Sequence, residues 1–172
     1  MRTLTRLGSF AAAITVVTSS GMTLAIHTAA ASPSGSGATT VGLRGAPKNC
    51  DFSPVGTSPV VPFVSLGTGS ALIHTNGSTV VADVQLILTN EPGMHFDVGL
   101  IQVPRPASST CGPGDPGTAY TGLDINDAGV GTATIQDTIK QGTTGVWVRI
   151  ARPNPHSQDA AECYTSEFVA PV

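Results

Sequence analysis

The chain has 172 residues, of which 11% are charged, and it is rich in glycine (20 residues) and proline (13 residues). This length suits one domain, and this composition favours strands and turns over helices. The net charge is −3 at pH 7 without any basic run, which excludes long-range attraction to nucleic acid or to anionic lipid.

Residues 1–31 have the pattern of a secretory signal peptide. Arg2 and Arg6 form a short positive region, an apolar Ala-rich stretch follows, and Ala29-Ala30-Ala31 is a small-residue cleavage pattern. Cleavage there leaves six Lys and Arg against eleven Asp and Glu, a net charge of −5. We therefore expect an acidic protein that is secreted or held at the cell envelope, without membrane association after cleavage.

Residues 32–56 are short of large apolar side chains and crowded with Gly, Ser and Pro. Such a composition predicts a flexible tether. The folded domain is then expected over residues 57–172. A weak strand at 60–66 would lie at a sheet edge, because Pro59 and Pro62 cannot donate to a ladder.

Two alternating stretches joined by a turn form the strongest structural signal, over residues 78–103. Each stretch places its apolar residues on one face. In the first stretch these residues are Val80, Ala82, Val84, Leu86 and Leu88, and in the second they are Met94, Phe96, Val98 and Leu100. Between them, Pro92-Gly93 suits a type II turn. A period of two residues buries one face of a strand and exposes the other, so we predict a half-buried antiparallel hairpin here.

Further strands are predicted along the rest of the domain, at residues 69–75, 120–124, 132–139, 146–150 and 163–169. Turn signals separate them: Asn76-Gly77 is a strong hairpin signal, residues 104–117 form a proline-rich loop, and Asn126 to Gly129 form another turn. About seven short strands at this spacing are typical of an antiparallel β-sandwich.

Several motifs in this region share a pattern with a known group of proteins. They are a V-x-A-x-V-x-L strand (80–86), an F-x-V strand (96–98), a loop cysteine (Cys111), a D-x-N-x-x-G-x-G turn (124–131), a V-x-V strand (146–148) and a terminal strand from Tyr164 to Phe168. Over residues 69–170 the chain resembles small exported bacterial proteins with immunoglobulin-like domains. The resemblance implies an immunoglobulin-like antiparallel β-sandwich of about seven strands, and it implies no activity.

The three cysteines predict one disulfide and one remaining thiol, because an exported chain meets an oxidising environment. We favour a disulfide between Cys111 and Cys163, since both lie beside predicted strand ends within the folded domain. A Cys50–Cys163 disulfide is the alternative, and it would tie the amino-terminal segment to the last strand.

The motifs that could carry chemistry are few. Asp124, Asn126 and Asp127 suggest a calcium loop, but Ala128 and Ile135 occupy positions where an EF-hand needs oxygen ligands, so a hydrogen-bonded turn is predicted. No His-x-His pair provides metal-ligand spacing, although His95 and Asp97 share a strand face. We expect no metal site and no cofactor.

One recognition patch is predicted from strand phase. If residues 94–103 lie beside residues 146–150 in one sheet, the outward-facing side chains of the two strands lie on the same face. An aromatic, a cation and a carboxylate would then share an exposed face, suited to recognition. Its members are His95, Asp97, Ile101, Trp147 and Arg149. The alternative is that Trp147 is covered by the proline-rich loop or by the amino-terminal segment.

These observations favour a binding or structural module at or beyond the cell envelope, rather than an enzyme. Its partner would be a protein or another envelope component. A small secreted hydrolase or metal-binding protein using His95 and Asp97 is one alternative. A secreted antigen-like or inhibitory protein that makes contact through its loops is another.

Overall fold

The computed structural model describes residues 37–56, 66–153 and 162–172, so the signal peptide and residues 60–65 of the edge strand lie outside it. Within these ranges the chain forms strands and loops without helices. The strands are β1 (Thr39–Arg44), β2 (Thr68–Asn76), β3 (Thr79–Ile87), β4 (His95–Val103), β5 (Thr118–Asp124), β6 (Val130–Thr138), β7 (Gly145–Arg152), β8 (Glu162–Ser166) and β9 (Ala170–Pro171). No helix long and apolar enough to span a membrane occurs in the described part.

The strands form one antiparallel sheet in the order β5-β4-β7-β8-β1-β2-β3-β6, with β9 beside β7. The strands at its two ends, β5 and β6, contact each other, so the sheet nearly closes into a barrel. The prediction of an all-β antiparallel domain is confirmed. The strand count differs, with nine strands in the described residues against about seven expected.

The inside of this nearly closed sheet holds the main hydrophobic core. β3 alternates between buried and less buried residues, as the period of two residues requires, whereas much of β4 and β7 and all of β8 are buried on both faces. The apolar residues predicted to share buried faces do so: Val80, Ala82, Val84, Leu86, Leu88, Phe96, Val98 and Leu100 are all buried. Tyr164 of β8 adds the largest side chain of this core.

The hairpin predicted over residues 78–103 is wrong, although both of its strands exist. β3 lies between β2 and β6, whereas β4 lies between β5 and β7. The connection includes a turn with Gly93 at a φ of 78°, and it carries the chain from one wall of the core to the other. The two apolar faces therefore meet across the core instead of pairing edge to edge. Alternation reveals that a strand exists, but not which strand lies beside it.

The flexible tether predicted for residues 32–56 is wrong for the residues that the structure describes. Thr39–Arg44 forms β1, which pairs with both β2 and β8. Val41 and Leu43 of β1 are buried in the core. The strand contributes two large apolar residues in a Gly- and Ser-rich segment, so its local pattern was too weak to predict it.

After β1, residues 46–55 form a compact loop that we call the strap. A backbone hydrogen bond from Asn49 to Ser53 (2.8 Å) and an isolated bridge between Lys48 and Pro54 fold the strap onto itself. A disulfide joins Cys50 in the strap to Cys111, with the two Cα atoms 5.5 Å apart.

The predicted Cys111–Cys163 disulfide and its Cys50–Cys163 alternative are therefore both wrong. Cys163 is a free, buried thiol on β8. The correct pairing requires the amino-terminal segment to lie against the loop that follows β4. The favoured pairing took both cysteines from the predicted domain, and the alternative tied Cys50 to the last strand instead of to this loop.

Candidate functional site

The outward side chains of β4, β5, β7 and β8 form one continuous surface, which we call the site face. β4 pairs with β7, as the recognition patch required. The register sets Ile101 opposite Trp147 and Gly99 opposite Arg149. All five residues of the predicted patch therefore lie in phase on the site face, because alternate residues of paired strands point to the same side.

His95 is the centre of a polar cluster at one end of the site face. Its Nδ1 atom donates a hydrogen bond to the carboxylate of Asp124 across the β4–β5 ladder, at 2.6 Å. Its Nε2 atom lies 3.6 Å from the carboxylate of Asp97. The three side chains are between 51% and 78% exposed, so the cluster is open to solvent.

The two carboxylates change the protonation of the imidazole. The hydrogen bond to Asp124 is the main reason that the pKa of His95 is raised above its ordinary value, and the charges of Asp124 and Asp97 add to it. Slight burial opposes this shift. Because both ring nitrogens face carboxylates, the protonated form of His95 is more favourable here than in water.

A glycine makes the position of the His95 ring possible. Gly122 of β5 lies opposite Asp97, and a Cβ atom added to Gly122 would come within 2.7 Å of the imidazole Cε1 atom. The ring thus lies over bare backbone, in a space that any other residue would occupy. This close approach directs Nδ1 of His95 towards Asp124, which lies at the end of β5, the strand that also carries Gly122.

Tyr120 and Arg149 occupy the middle of the site face. The Tyr120 ring covers Gly99, where an added Cβ atom would come within 2.8 Å of it, and its hydroxyl donates to the backbone oxygen of Cys111. Burial raises the pKa of Tyr120, while the nearby Arg149 opposes the shift. Arg149 is half-buried, and its guanidinium lies beside the Tyr120 hydroxyl and the Cys163 thiol.

Cys163 lies on the same face and is buried beside Arg149. Burial raises the pKa of the Cys163 thiol, and Arg149 only partly opposes it. A thiol in these surroundings stays protonated at neutral pH, and the thiolate is the nucleophilic form. Cys163 is therefore a packing residue rather than a reactive one.

Ile101 and Trp147 lie at the covered end of the site face. Both are fully buried, beneath the strap and the loop that carries Cys111. The ring of Phe52 meets the Trp147 indole edge to face, with 5.6 Å between the ring centroids. The structure thus divides the predicted patch: His95 and Asp97 are open, whereas Ile101 and Trp147 are covered, as in the alternative derived from the sequence.

The calcium-like sequence at Asp124 to Gly129 forms a turn, as predicted. The Asn126 side-chain oxygen accepts hydrogen bonds from the backbone of Ala128 (2.9 Å) and Val130 (3.1 Å). This is the local bonding that asparagine uses to stabilise turns. In residues 37–56, 66–153 and 162–172, no group of three or more His, Cys, Asp or Glu side chains is placed to hold a metal ion.

Three residues at the site face were not predicted: Asp124 as the partner of His95, Tyr120, and Phe52 of the strap as the cover of Trp147. A signal for two of them was present in the sequence. Gly99 and Gly122 interrupt predicted strands, and a glycine within a strand often marks a close approach by another group. No comparable signal indicated Phe52, because it lies far from Trp147 along the chain.

The fold and the site face define a class of protein: an all-β domain with a polar, partly covered sheet surface. Comparison of the chain with protein-family models, curated proteins and solved structures finds no match. Function must therefore be inferred from the chemistry of the site face.

Proposed function

We propose that this protein is an exported binding module that recognises a protein or another envelope component through the open part of the site face. The single observation that carries this proposal is the gathering of His95, Asp97, Asp124 and Arg149 on neighbouring strands of one face. The surface presents an imidazole, two carboxylates and a guanidinium within a rigid sheet. Such a mixed array favours a partner with complementary charges and hydrogen-bonding groups.

A rigid sheet supports this role because the side chains it holds are already positioned. β4 is paired on both sides, with β5 and β7, so the backbone beneath the cluster has little freedom. A preorganised surface loses less conformational entropy on binding than a flexible loop. No catalytic step and no cofactor is assigned to the site face.

Export is part of the proposal. It rests on the signal-peptide pattern in residues 1–31 and on the acidic chain that cleavage would leave. The Cys50–Cys111 disulfide is compatible with an extracellular protein, since disulfides persist in oxidising compartments. We place the mature protein outside the cell or at its envelope.

We also propose that the fold is of the immunoglobulin-like sandwich class. Two features support it: β3 and β4 face each other across the core, and β4 lies beside β7 in the way that C and F strands do. β1 pairs with β2 on one side and with β8 on the other. It thus joins the strands β2, β3 and β6 to the strands β4, β5, β7 and β8 in one sheet.

The test is a pull-down from the envelope fraction of the producing organism, using the mature protein as bait. We expect a discrete partner that is captured by the wild type and lost with an Asp97→Ala, Arg149→Ala double variant. Asp83→Ala is the matched control, because Asp83 is exposed on β3, outside the site face. Equal capture by all three baits, or no capture by the wild type, would refute the proposal.

A hydrolase or metal-binding protein using His95 and Asp97 is the second candidate. The proximity of the His95 imidazole to two carboxylates favours it. However, the contacts of the ring nitrogens are carboxylates, and an activated nucleophile would need a hydroxyl or thiol there. Calorimetric titration of the purified protein with Zn²⁺ tests whether this protein binds metal through His95. A heat of binding that disappears in His95→Ala would support metal binding at this residue.

A further inference from the structure

We propose that a cleft at one end of the barrel binds a small organic acid, that is, a carboxylate attached to an apolar body. The cleft lies between the proline-rich loop (residues 104–117) and the turn that follows β6 (residues 139–144). It shares no residue with the open cluster around His95. This proposal and the proposed function can therefore fail independently.

The cleft has the size and the walls of a small-molecule site. Its volume is about 430 Å³, and sites for small ligands typically occupy about 300–1,000 Å³. The rings of Pro104, Pro106 and Pro116 line it. A proline has no backbone N–H group to donate, so these walls suit the apolar body of a ligand.

Two cationic side chains converge in the cleft. Arg105 is half-buried and Lys140 is exposed. Both approach Gly117, since a Cβ atom added to this glycine would lie 3.5 Å from Nη1 of Arg105 and 3.9 Å from Cγ of Lys140. The glycine thus leaves open a space beside both side chains.

The charges of these two cations are not neutralised within the described part of the chain. Neither Arg105 nor Lys140 forms a salt bridge there. Arg105 donates only to backbone oxygens, which are those of Thr110 (2.6 Å), Pro116 (2.8 Å) and Gly117 (3.4 Å). Two neighbouring positive charges of this kind attract an anion, even in a chain whose net charge is −3.

The hydrogen bonding around the cleft favours a carboxylate over a phosphate. Phosphate sites usually gather several backbone N–H groups. Here Lys140 donates its N–H to the Gln102 side chain (2.8 Å), and Thr143 donates its N–H to the Lys140 backbone oxygen (3.1 Å). The lysine and arginine side chains are therefore left to hold the anion, and this pair suits a singly charged carboxylate.

Gln102 holds both walls of the cleft in place. It is only 4% exposed, and its backbone N–H donates to the oxygen of Gly117 (2.9 Å) in the proline-rich loop. Its side-chain oxygen accepts from the Thr143 hydroxyl (2.7 Å) in the opposite turn. A cleft that is fixed before the ligand arrives loses less conformational entropy on binding.

The test is a titration of the full chain with phenylacetate, followed by NMR of the backbone amides. We expect saturable shifts at Gly117, Gly142 and Thr143, which line the cleft. Phenylacetamide has the same body without the charge, and inorganic phosphate has charge without the body. Each should bind at least severalfold more weakly than phenylacetate. Equal binding of either control probe, or no saturable shift at the cleft with phenylacetate, would overturn the proposal.

Lys140→Gln should raise the Kd for phenylacetate about two- to fivefold, the scale of one exposed charge pair. Its fold should survive, because the side chain is exposed and the backbone bond to Gln102 is retained. Lys48→Gln is the matched control: Lys48 is the other lysine of the chain and lies outside the cleft. It should leave the Kd unchanged. Equal effects of the two changes would refute a site at the cleft.

A salt series on the wild-type protein keeps the proposal testable if Lys140→Gln loses its cooperative thermal transition. Raising NaCl from about 0.05 M to about 0.5 M should weaken phenylacetate binding severalfold, because salt screens exposed charges. A Kd that does not change with salt would rule out recognition of the carboxylate by Arg105 and Lys140.

Discussion

The chemistry of His95 depends on two neighbouring carboxylates and on the absence of a side chain at Gly122. Asp124 receives the Nδ1 hydrogen bond, Asp97 lies near Nε2, and the ring occupies the space over Gly122. The pKa of His95 is raised as a result. Its protonated form stabilises the fold fully below its ordinary pKa of 6.5, and this contribution is lost as the pH rises through the higher folded-state pKa.

Asp124→Asn should lower the pKa of His95 towards its ordinary value, because the main cause of the upward shift is removed. Stability should then change less between about pH 5.5 and about pH 8, an interval that brackets the ordinary pKa of about 6.5. NMR titration of the imidazole protons measures the pKa, and urea midpoints at the two pH values measure stability. Asp127→Asn is the control, since Asp127 is exposed in the same turn. An unchanged His95 pKa in Asp124→Asn would contradict the assignment.

At the level of elements, the strap shows how a segment without a strong pattern becomes part of the fold. It adds little apolar area, yet it covers Trp147 and Ile101, which would otherwise lie exposed on the sheet. The disulfide closes a loop with a sequence separation of 61 residues. A crosslink over that distance restricts the unfolded chain strongly.

Cys50→Ser with Cys111→Ser should destabilise the protein by about 4 kcal/mol, the chain-entropy estimate for a loop of this length. Its interior core should survive, because the core is formed by other residues. Urea unfolding measures the loss, and far-UV circular dichroism checks the sheet. Cys163→Ala is the control, with an expected cost of about 1 kcal/mol for a buried small side chain. Equal losses in the two variants would show that the disulfide contributes little.

At the scale of the whole molecule, side chains rather than a backbone ladder join the two ends of the sheet. Leu123 and Ile125, from β5 and the turn after it, pack directly over Gly131 of β6. At the other end of the barrel, Gln102 of β4 donates to the Asp137 carboxylate (2.6 Å) and the backbone oxygen of Thr138 (2.9 Å). These contacts nearly close the barrel without pairing β5 to β6.

Gly131→Ala should destabilise the protein by about 1–3 kcal/mol, the range typical of overpacking a core. An added Cβ atom would come within 2.2 Å of the Leu123 side chain and force the two sheet ends apart. Thermal or urea unfolding measures the change. Gly112→Ala is the matched control, because its nearest neighbour would be 3.7 Å away. Similar stabilities for the two variants would argue against a tightly packed junction.

Gln102→Leu should cost about 3 kcal/mol, since it leaves buried polar groups unsatisfied. Besides its two donated bonds, the Gln102 side-chain oxygen accepts from the Lys140 backbone nitrogen (2.8 Å) and the Thr143 hydroxyl (2.7 Å). Amide hydrogen exchange should show faster opening near the carboxyl end of β6. Gln85→Leu, on the exposed face of β3, is the matched control and should change stability by less than about 0.5 kcal/mol. If the two changes cost the same, Gln102 does not hold the barrel closed.

The sequence by itself determined where most strands lie and which of their faces are buried. Val80 to Leu88 and Phe96 to Leu100 alternate strictly, and alternation is a local property that each strand carries independently of its neighbours. The same local logic identified the Asn76-Gly77 hairpin, where Gly77 has a φ of 62°, and the turn at Asn126. It also placed the five patch residues in phase on one face.

The tertiary structure alone decided which strands pair, which cysteines bond and which part of the patch is open. β3 and β4 separate because their apolar faces are buried by facing each other across a core, which no local pattern encodes. Cys50 meets Cys111, and Phe52 meets Trp147, because β1 inserts beside β8 and leads the strap across the site face. Such contacts join residues far apart in the chain, and their free energy depends on the packing of the whole barrel rather than on any one segment.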